Sequence, residues 1–147
     1  MMKKIIFLSF MLVGVSSFAQ EYKIITVVES IIPAGLGRSR MIEATETKDY
    51  KALTTERVDG EKSKEKVSRS SAKVENLNET KLLNFYSAVG LQFYNIASND
   101  AVVMSKINDL ASQGWELKFV NSGVESDAGK SDGNGIFVTR YIFFKNN

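Results

Sequence analysis

Two arginines follow a pair of glycines directly after the first predicted strand, and this spacing is typical of a site for a small anion. The residues concerned are Gly35, Gly37, Arg38, Ser39 and Arg40. Glycines let a ligand approach the backbone, and two arginines two residues apart can bind a phosphate, sulfate or carboxylate. The segment lacks the P-loop lysine and the third glycine of a dinucleotide-binding turn. We therefore expect either an anion site or a turn whose arginines pair with a carboxylate such as Glu43.

A third arginine, Arg140, interrupts an otherwise apolar face of the last predicted strand. Charged side chains are rarely buried without a partner. Arg140 should therefore either pair with a carboxylate, which is the arrangement we expect, or point into a groove. If it points into a groove, it joins the candidate ligand-binding residues.

The polar segment 125–135 contains oxygen ligands of the kind that Ca²⁺ prefers, namely Asp127, Asp132 and Asn134. Calcium takes 6–8 oxygens, usually with several in a fixed spacing. The EF-hand order is absent, because the two aspartates are five residues apart with Lys130 between them. We expect a hairpin loop built from Gly and Asx turns, with a calcium site as the alternative.

Three carboxylates near these segments could in principle work as an acid–base pair. Glu116, Glu125 and Asp127 are the residues that a cofactor-free glycoside hydrolase would use. No spacing in the sequence fixes two of them across a cleft. Glu116 alternates with Trp115 and Leu117, which predicts that it faces solvent.

The composition excludes several classes of chemistry. The chain has no histidine and no cysteine, which rules out His/Cys zinc and copper sites, Ser-His-Asp and Cys-His catalysis, disulfides and iron–sulfur clusters. No nucleotide or cofactor motif is present, so we expect no cofactor. Whether the protein is an enzyme stays open, but the absence of these catalytic residues and cofactor motifs favours a non-enzymatic role.

The first nineteen residues are typical of a bacterial signal peptide. Lys3 and Lys4 precede an apolar run over 5–15, and Ser17 and Ala19 supply small residues before Gln20. The apolar run is shorter than the ~20 residues that a membrane-spanning helix needs. We expect residues 1–19 to be removed and 20–147 to form a single exported domain, periplasmic or secreted, with no transmembrane segment.

The mature chain would carry no net charge. Removing Lys3 and Lys4 from 19 basic residues leaves 17, which equals the 17 acidic residues. A neutral chain gives no electrostatic reason to expect nucleic acid as a partner, so the expected partner is a protein or a small anionic ligand. Residues 46–81 hold 9 basic and 8 acidic side chains. We interpret them as a charged insertion, a solvated hairpin or loop with a turn at Asp59 and Gly60.

Hydrophobic periodicity predicts the elements that position these residues. Residues 22–32 form a strand that is apolar on both faces and therefore central. A helix begins at Ser98 or Asn99 and ends at Gly114, where Trp115 packs back on Leu110. Strands follow over 115–119 and 136–144.

The middle of the chain is ambiguous. Residues 78–89 fit a helix or a strand, and helix is the favoured interpretation; residues 91–96 are expected to be an extended connector. The predicted aromatic core consists of Trp115, Phe119, Phe137, Tyr141 and Phe143.

Three pieces of the chain resemble a family of small bacterial domains of unknown function. They are Tyr22-Lys23-Ile24-Ile25, a helix running into Gly114-Trp115-Glu116-Leu117, and Tyr141-Ile142-Phe143-Phe144-Lys145. The resemblance implies a β-α-β-β core with an antiparallel sheet, and this chain would be a longer, secreted variant. The family carries no established activity to transfer.

The sequence thus predicts an α+β fold, a small antiparallel sheet packed by one or two helices with the charged insertion. The leading functional hypothesis is a non-enzymatic binding or interaction module. A small-anion-binding protein using Gly35 to Arg40 is the first alternative, and a cofactor-free hydrolase is the second.

Overall fold

A five-stranded antiparallel sheet and one long helix dominate this computed structural model, which describes residues 20–32, 39–62, 68–125 and 135–146. The strands are β1 (Gln20–Ser30), β2 (Arg40–Ala44), β3 (Arg57–Val58), β4 (Glu61–Lys62), β5 (Leu77–Lys81), β6 (Tyr86–Ser87), β7 (Gly90–Leu91), β8 (Glu116–Glu125) and β9 (Ile136–Asn146). The helices are α1 (Arg69–Ala72) and α2 (Phe93–Ser112), and a 3-10 turn spans Lys51–Leu53.

The main sheet has the strand order β5-β2-β1-β9-β8. Strand β1 lies at its centre and pairs with β9 over its full length, from Gln20 opposite Asn146 to Ser30 opposite Ile136. The predicted α+β class is confirmed, as is the central position of the first strand. The β-branched residues of β1 suit a strand that is hydrogen-bonded on both sides.

Helix α2 covers one face of this sheet, and the core lies between them. Six hydrophobic side chains are buried there: Ile25, Val27, Met41, Leu82, Leu110 and Phe143. Each such side chain contributes about 1.5–3 kcal/mol by leaving water. Val103, Ile107, Trp115 and Tyr141 pack around this cluster while remaining partly exposed.

The end of α2 agrees with the sequence prediction. Gly114 has φ of 85°, its N–H donates to the Ala111 carbonyl at 3.0 Å, and the Trp115 N–H donates to the Leu110 carbonyl at 3.0 Å. These two bonds form a Schellman motif, in which a left-handed glycine satisfies the last carbonyls of the helix. The chain is thereby turned directly into β8.

The helix predicted over 78–89 is wrong. Residues Leu77–Lys81 form β5, which pairs with β2 along its length, and β6 follows at Tyr86–Ser87. Pairing with an exposed strand edge satisfies the backbone groups of β5, and this long-range gain outweighs a weak local helix preference.

The predicted beginning of the long helix is also wrong, as is the extended connector over 91–96. Helix α2 begins at Phe93, and Gln92 occupies the N-cap position without a side-chain cap bond. Asn99 is 2% exposed and lies within the buried stripe of the helix. From the sequence alone, a buried residue such as Asn99 cannot be distinguished from a helix N-cap, because the groups that it binds are distant in the chain.

The charged segment 46–81 divides into two parts. Its hairpin β3–β4 has the predicted turn, with φ of 52° at Asp59 and 82° at Gly60. Two positive φ angles define the type I′ turn that suits a two-residue hairpin. Strand β5, by contrast, belongs to the main sheet and forms one of its edges.

Candidate functional site

The predicted anion segment is only partly within the described residues. Gly35, Gly37 and Arg38 lie outside them, so the anion site remains a prediction. Ser39 is completely buried; its Oγ accepts a hydrogen bond from the Ser30 N–H at 3.0 Å and donates to Asn84 Oδ1 at 2.9 Å. The Ser39 hydroxyl therefore joins three segments inside the fold.

Arg40 begins β2, and its Nη1 donates to the Ser39 carbonyl at 2.8 Å. This bond holds one side of the guanidinium against its own backbone. The alternative prediction, a pairing of this arginine with Glu43, is not seen, because Glu43 points to the opposite face of β2 and binds lysines instead.

Glu43 is the centre of a buried ion-pair cluster that the sequence analysis missed. Its carboxylate accepts from Lys23 Nζ at 2.7 Å and lies 2.8 Å from Lys106 Nζ. Burial raises the pKa of Glu43, but the hydrogen bonds from Lys106 and Lys23 outweigh that effect and lower the pKa overall. The cluster connects β1, β2 and α2.

Open depressions lie on both sides of this cluster. The larger has a volume of about 1120 Å³ and includes Lys23, Glu46 and Trp115 in its wall; the smaller, of about 230 Å³, is bounded by Glu43, Lys106 and neighbours on β2 and β5. Lys23 Nζ lies 5.2 Å from the centre of the Trp115 ring. Because the Glu43 carboxylate binds both ammonium groups, the arrangement links three elements of the fold.

A second missed cluster surrounds Asn99. Its Nδ2 donates to Glu29 Oε1 and to the Leu83 carbonyl, and its Oδ1 accepts from the Leu83 N–H, each at 2.8 Å. Burial raises the pKa of Glu29; the Asn99 hydrogen bond opposes this shift, and the charge of Asp100 adds to it. Burial, with the nearby charges of Glu29 and Asp100, also raises the pKa of Tyr141. Asn99 thus fixes the loop after β5 to α2.

The carboxylates predicted for a hydrolase are not brought together in the described structure. Glu116 and Glu125 are the first and last residues of β8, so about 30 Å separates them at ~3.3 Å per residue. A hydrolase pair needs a separation of about 5–10 Å. Asp127 lies outside the described residues.

The calcium candidates Asp127, Asp132 and Asn134 also lie outside the described residues, so that alternative is untested. Within the part of the chain that the structure describes, no group of three or more acidic side chains is placed to hold a metal ion. No helix there is both long and apolar enough to cross a membrane.

The predicted aromatic core is only partly correct. Phe143 is 1% exposed, but Phe119 is 62% exposed. A β-bulge explains Phe119: Leu117 lies opposite Phe143, whereas Phe119 lies opposite Ile142. The extra residue, Lys118, reverses the alternation and moves Phe119 to the other face of the sheet.

That other face carries an extensive apolar surface. Alternate residues of each strand point away from α2, and no described element covers them. We name this surface the open face; its apolar residues include Tyr22, Ile24, Ile42, Phe119, Ile142 and Phe144. Tyr22 is 63% and Ile24 is 50% exposed, and the Tyr22 and Phe144 rings lie 5.4 Å apart.

Arg140 lies within the open face. Its neighbours across the sheet are Thr26 on β1 and Asn121 on β8, and its side chain is exposed. The predicted carboxylate partner is not found among the described residues. A positive charge surrounded by apolar and neutral side chains is thus presented on the surface.

Comparisons with protein-family models, with curated proteins and with solved structures found no match to this chain.

Proposed function

We propose that this protein is an exported, non-enzymatic interaction module whose binding surface is the open face. The observation that carries the proposal is the exposure of large apolar side chains on the side of the sheet opposite α2. An exposed apolar patch of several hundred Å² on a soluble domain is characteristic of a surface that binds a partner.

The size of the open face supports this proposal. Five strands about 4.8 Å apart, of five to eleven residues, cover roughly 600 Å² in projection. At about 25 cal/mol per Å², covering even half of this area would contribute several kcal/mol. The two polar clusters, in contrast, have their partners within the fold and act on its stability.

A photo-crosslinking experiment tests the role of the open face. The chain has no cysteine, so a single introduced cysteine gives a unique attachment point for benzophenone maleimide. Thr26→Cys places the probe at the centre of the open face, and Ala101→Cys places it on an exposed position of α2 as the matched control. Each variant is labelled as purified protein and mixed with a cell-envelope extract; illumination should give an intermolecular product from the Thr26 variant and none from the Ala101 variant. Equal products at both positions, or none at Thr26, would refute an interaction through this face.

Export is the second part of the proposal. Its support is the charged, apolar and small-residue order of residues 1–19. The resemblance to small bacterial domains through the Gly114-Trp115-Glu116-Leu117 motif is compatible with this role and supplies no activity.

Intact-mass measurement of the protein purified from the cell envelope or medium should give a chain that begins at Gln20. Ala19→Lys should block processing, because signal peptidase requires a small residue before the cleaved bond. A wild-type chain that retains Met1 would contradict export by this route.

A further inference from the structure

One row of residues across the open face holds two opposite charges that do not pair with each other within one molecule. Glu79 lies opposite Ile42, Ile42 opposite Thr26, and Thr26 opposite Arg140. Three strand spacings, about 14 Å, separate Glu79 from Arg140. Both residues are exposed, and neither forms an ion pair with another described residue.

We propose that the open face binds the open face of a second copy of this chain, with two reciprocal ion pairs between Arg140 and Glu79 of the partner subunit. This inference rests on the proposed function and specifies its partner. The two sheets are related by a two-fold axis that runs parallel to the strands, between β1 and β2 and midway between the sheets. Rotation about this axis reverses the order of the strands and keeps each row of residues at the same height along them. It places β9 over the partner's β5 and β1 over the partner's β2, so each Arg140 faces a glutamate.

The distances are compatible with this arrangement. Stacked sheets lie about 10 Å apart, which extended arginine and glutamate side chains together can span. The usual ~30° angle between aligned sheets shifts residues that lie about 7 Å from the axis by a few Å. A long arginine side chain can follow such a shift, and the pairing makes this row of the face self-complementary in charge.

The apolar residues match under the same operation. Leu77 lies opposite Ala44 and Ile24 opposite Ile142, and extending the β1–β2 register by one residue joins the two pairs into the row next to the charged row. Around the axis, Ile24 lies over Ala44 of the partner subunit, and Leu77 over Ile142 of the partner subunit. In this arrangement β8 lies beyond the edge of the partner's sheet, and four strands of each sheet overlap over about five residues, roughly 300 Å² in projection. Side-chain relief increases this area, which corresponds to a small interface of the kind that supports a weak, concentration-dependent dimer.

Charge reversal provides the test. Sedimentation velocity of the purified chain from about 1 to 200 µM should show a concentration-dependent dimer, since self-association follows mass action. Arg140→Glu and Glu79→Arg should each weaken dimerisation by at least about tenfold, because each places like charges opposite one another. The double variant should restore the wild-type dissociation constant to within a few fold. Met104→Glu, on the exposed side of α2, should change nothing.

A second measurement avoids dependence on variants that alter charge. Thr26→Cys should give covalent dimers with a short bis-maleimide, because the two copies of position 26 lie about 11 Å apart in this geometry; Ala101→Cys should not. A monomeric wild type at every concentration, or a double charge variant that stays as weak as the single variants, would overturn the proposal. If the photo-crosslink at Thr26 instead captures a different protein, the interaction module stands and the second copy is refuted. If no crosslink forms at Thr26, the proposed function fails as well.

Discussion

Replacing Asn99 by aspartate should make the stability of this protein strongly dependent on pH above the ordinary pKa of a carboxyl group. Asn99 donates two hydrogen bonds and accepts one, all at 2.8 Å, at a position that is 2% exposed. Asn99→Asp has nearly the same shape and keeps the acceptor for the Leu83 N–H. Its second oxygen, however, would face Glu29 Oε1 and the Leu83 carbonyl, where the amide had donated.

The size of the effect follows from the bonds that are lost. The bond to the Glu29 carboxylate is charge-assisted and contributes about 1.5–3 kcal/mol, and the bond to the Leu83 carbonyl contributes about 1 kcal/mol. Repulsion between two carboxylates adds to this, so Asn99→Asp should lose about 3–5 kcal/mol at pH 7. As the pH falls, the folded state can hold one proton between the two carboxyls, because burial already raises the pKa of Glu29.

The sign of the pH dependence is fixed by linkage. A carboxyl whose pKa is raised in the folded state makes the folded protein bind more protons than the unfolded chain does. Stability therefore falls as pH rises from the unfolded value near 4 to the raised folded value, by about 1.4 kcal/mol per pH unit for one proton. Urea unfolding at pH 5, 6, 7 and 8, followed by the fluorescence of the single tryptophan, Trp115, measures this slope.

Asn108→Asp is the matched control, since Asn108 is exposed on the same helix. It should lose less than about 0.5–1 kcal/mol, through the helix dipole alone, and show the wild-type pH slope. If Asn99→Asp is as stable as Asn108→Asp at pH 7, or if its stability does not rise as the pH falls, the hydrogen bonds assigned to Asn99 are incorrect.

Three further predictions concern individual positions. Gly114→Val should lose about 1–2 kcal/mol in a denaturant melt, because φ is 85° there and a β-branched residue resists that conformation; Gly114→Asn should lose clearly less, and equal losses would contradict the left-handed cap. Glu43→Gln should lose about 1–3 kcal/mol at pH 7 by removing the carboxylate that binds two partly buried lysines. Because the pKa of Glu43 is lowered from 4.5, the gap between this variant and wild type should close as the pH falls through that lowered value, and a constant gap would argue against the ion pairs. Phe143→Ala should lose about 3–5 kcal/mol and Phe119→Ala less than about 1 kcal/mol in the monomer, which follows from their burial; similar losses would place Phe119 in the core.

Local signals were sufficient where one segment determines its own structure. The end of α2 at Gly114 and the turn at Asp59 and Gly60 were predicted correctly, because positive φ angles select particular residue types. The beginning of α2 and the strand β5 were not, because each depends on partners far along the chain. Asn99 binds Leu83 and Glu29, the latter 70 residues away, and β5 exists by pairing with β2.

The candidate sites show the same division between features with a local sequence signal and features that depend on distant residues. Arg140 was selected from the sequence because one charge in an apolar alternation is conspicuous. The cluster around Glu43 left only a weak signal in the sequence: Lys23, Glu43 and Lys106 each have an apolar residue on one side at the period of their element, namely Ile25, Met41 and Val103. Three such interruptions on three elements could have been matched with one another. The bulge at Lys118 left no comparable signal in the sequence. Strict alternation predicts that Phe119 lies on the same face of the sheet as Leu117.

The apolar character of both faces of β1 links the sequence to the proposed interaction. A sheet covered by a helix on one side needs hydrophobic residues only at alternate positions. Strand β1 satisfies that need with Ile25 and Val27, yet it also carries Ile24 and Val28 on the other side. These additional side chains gain nothing in an isolated monomer and lower its solubility, whereas in a two-sheet interface they would contribute as core residues do. In that interface Arg140 would serve two purposes: it would keep the free face hydrated, and opposite a carboxylate it would fix the register of association.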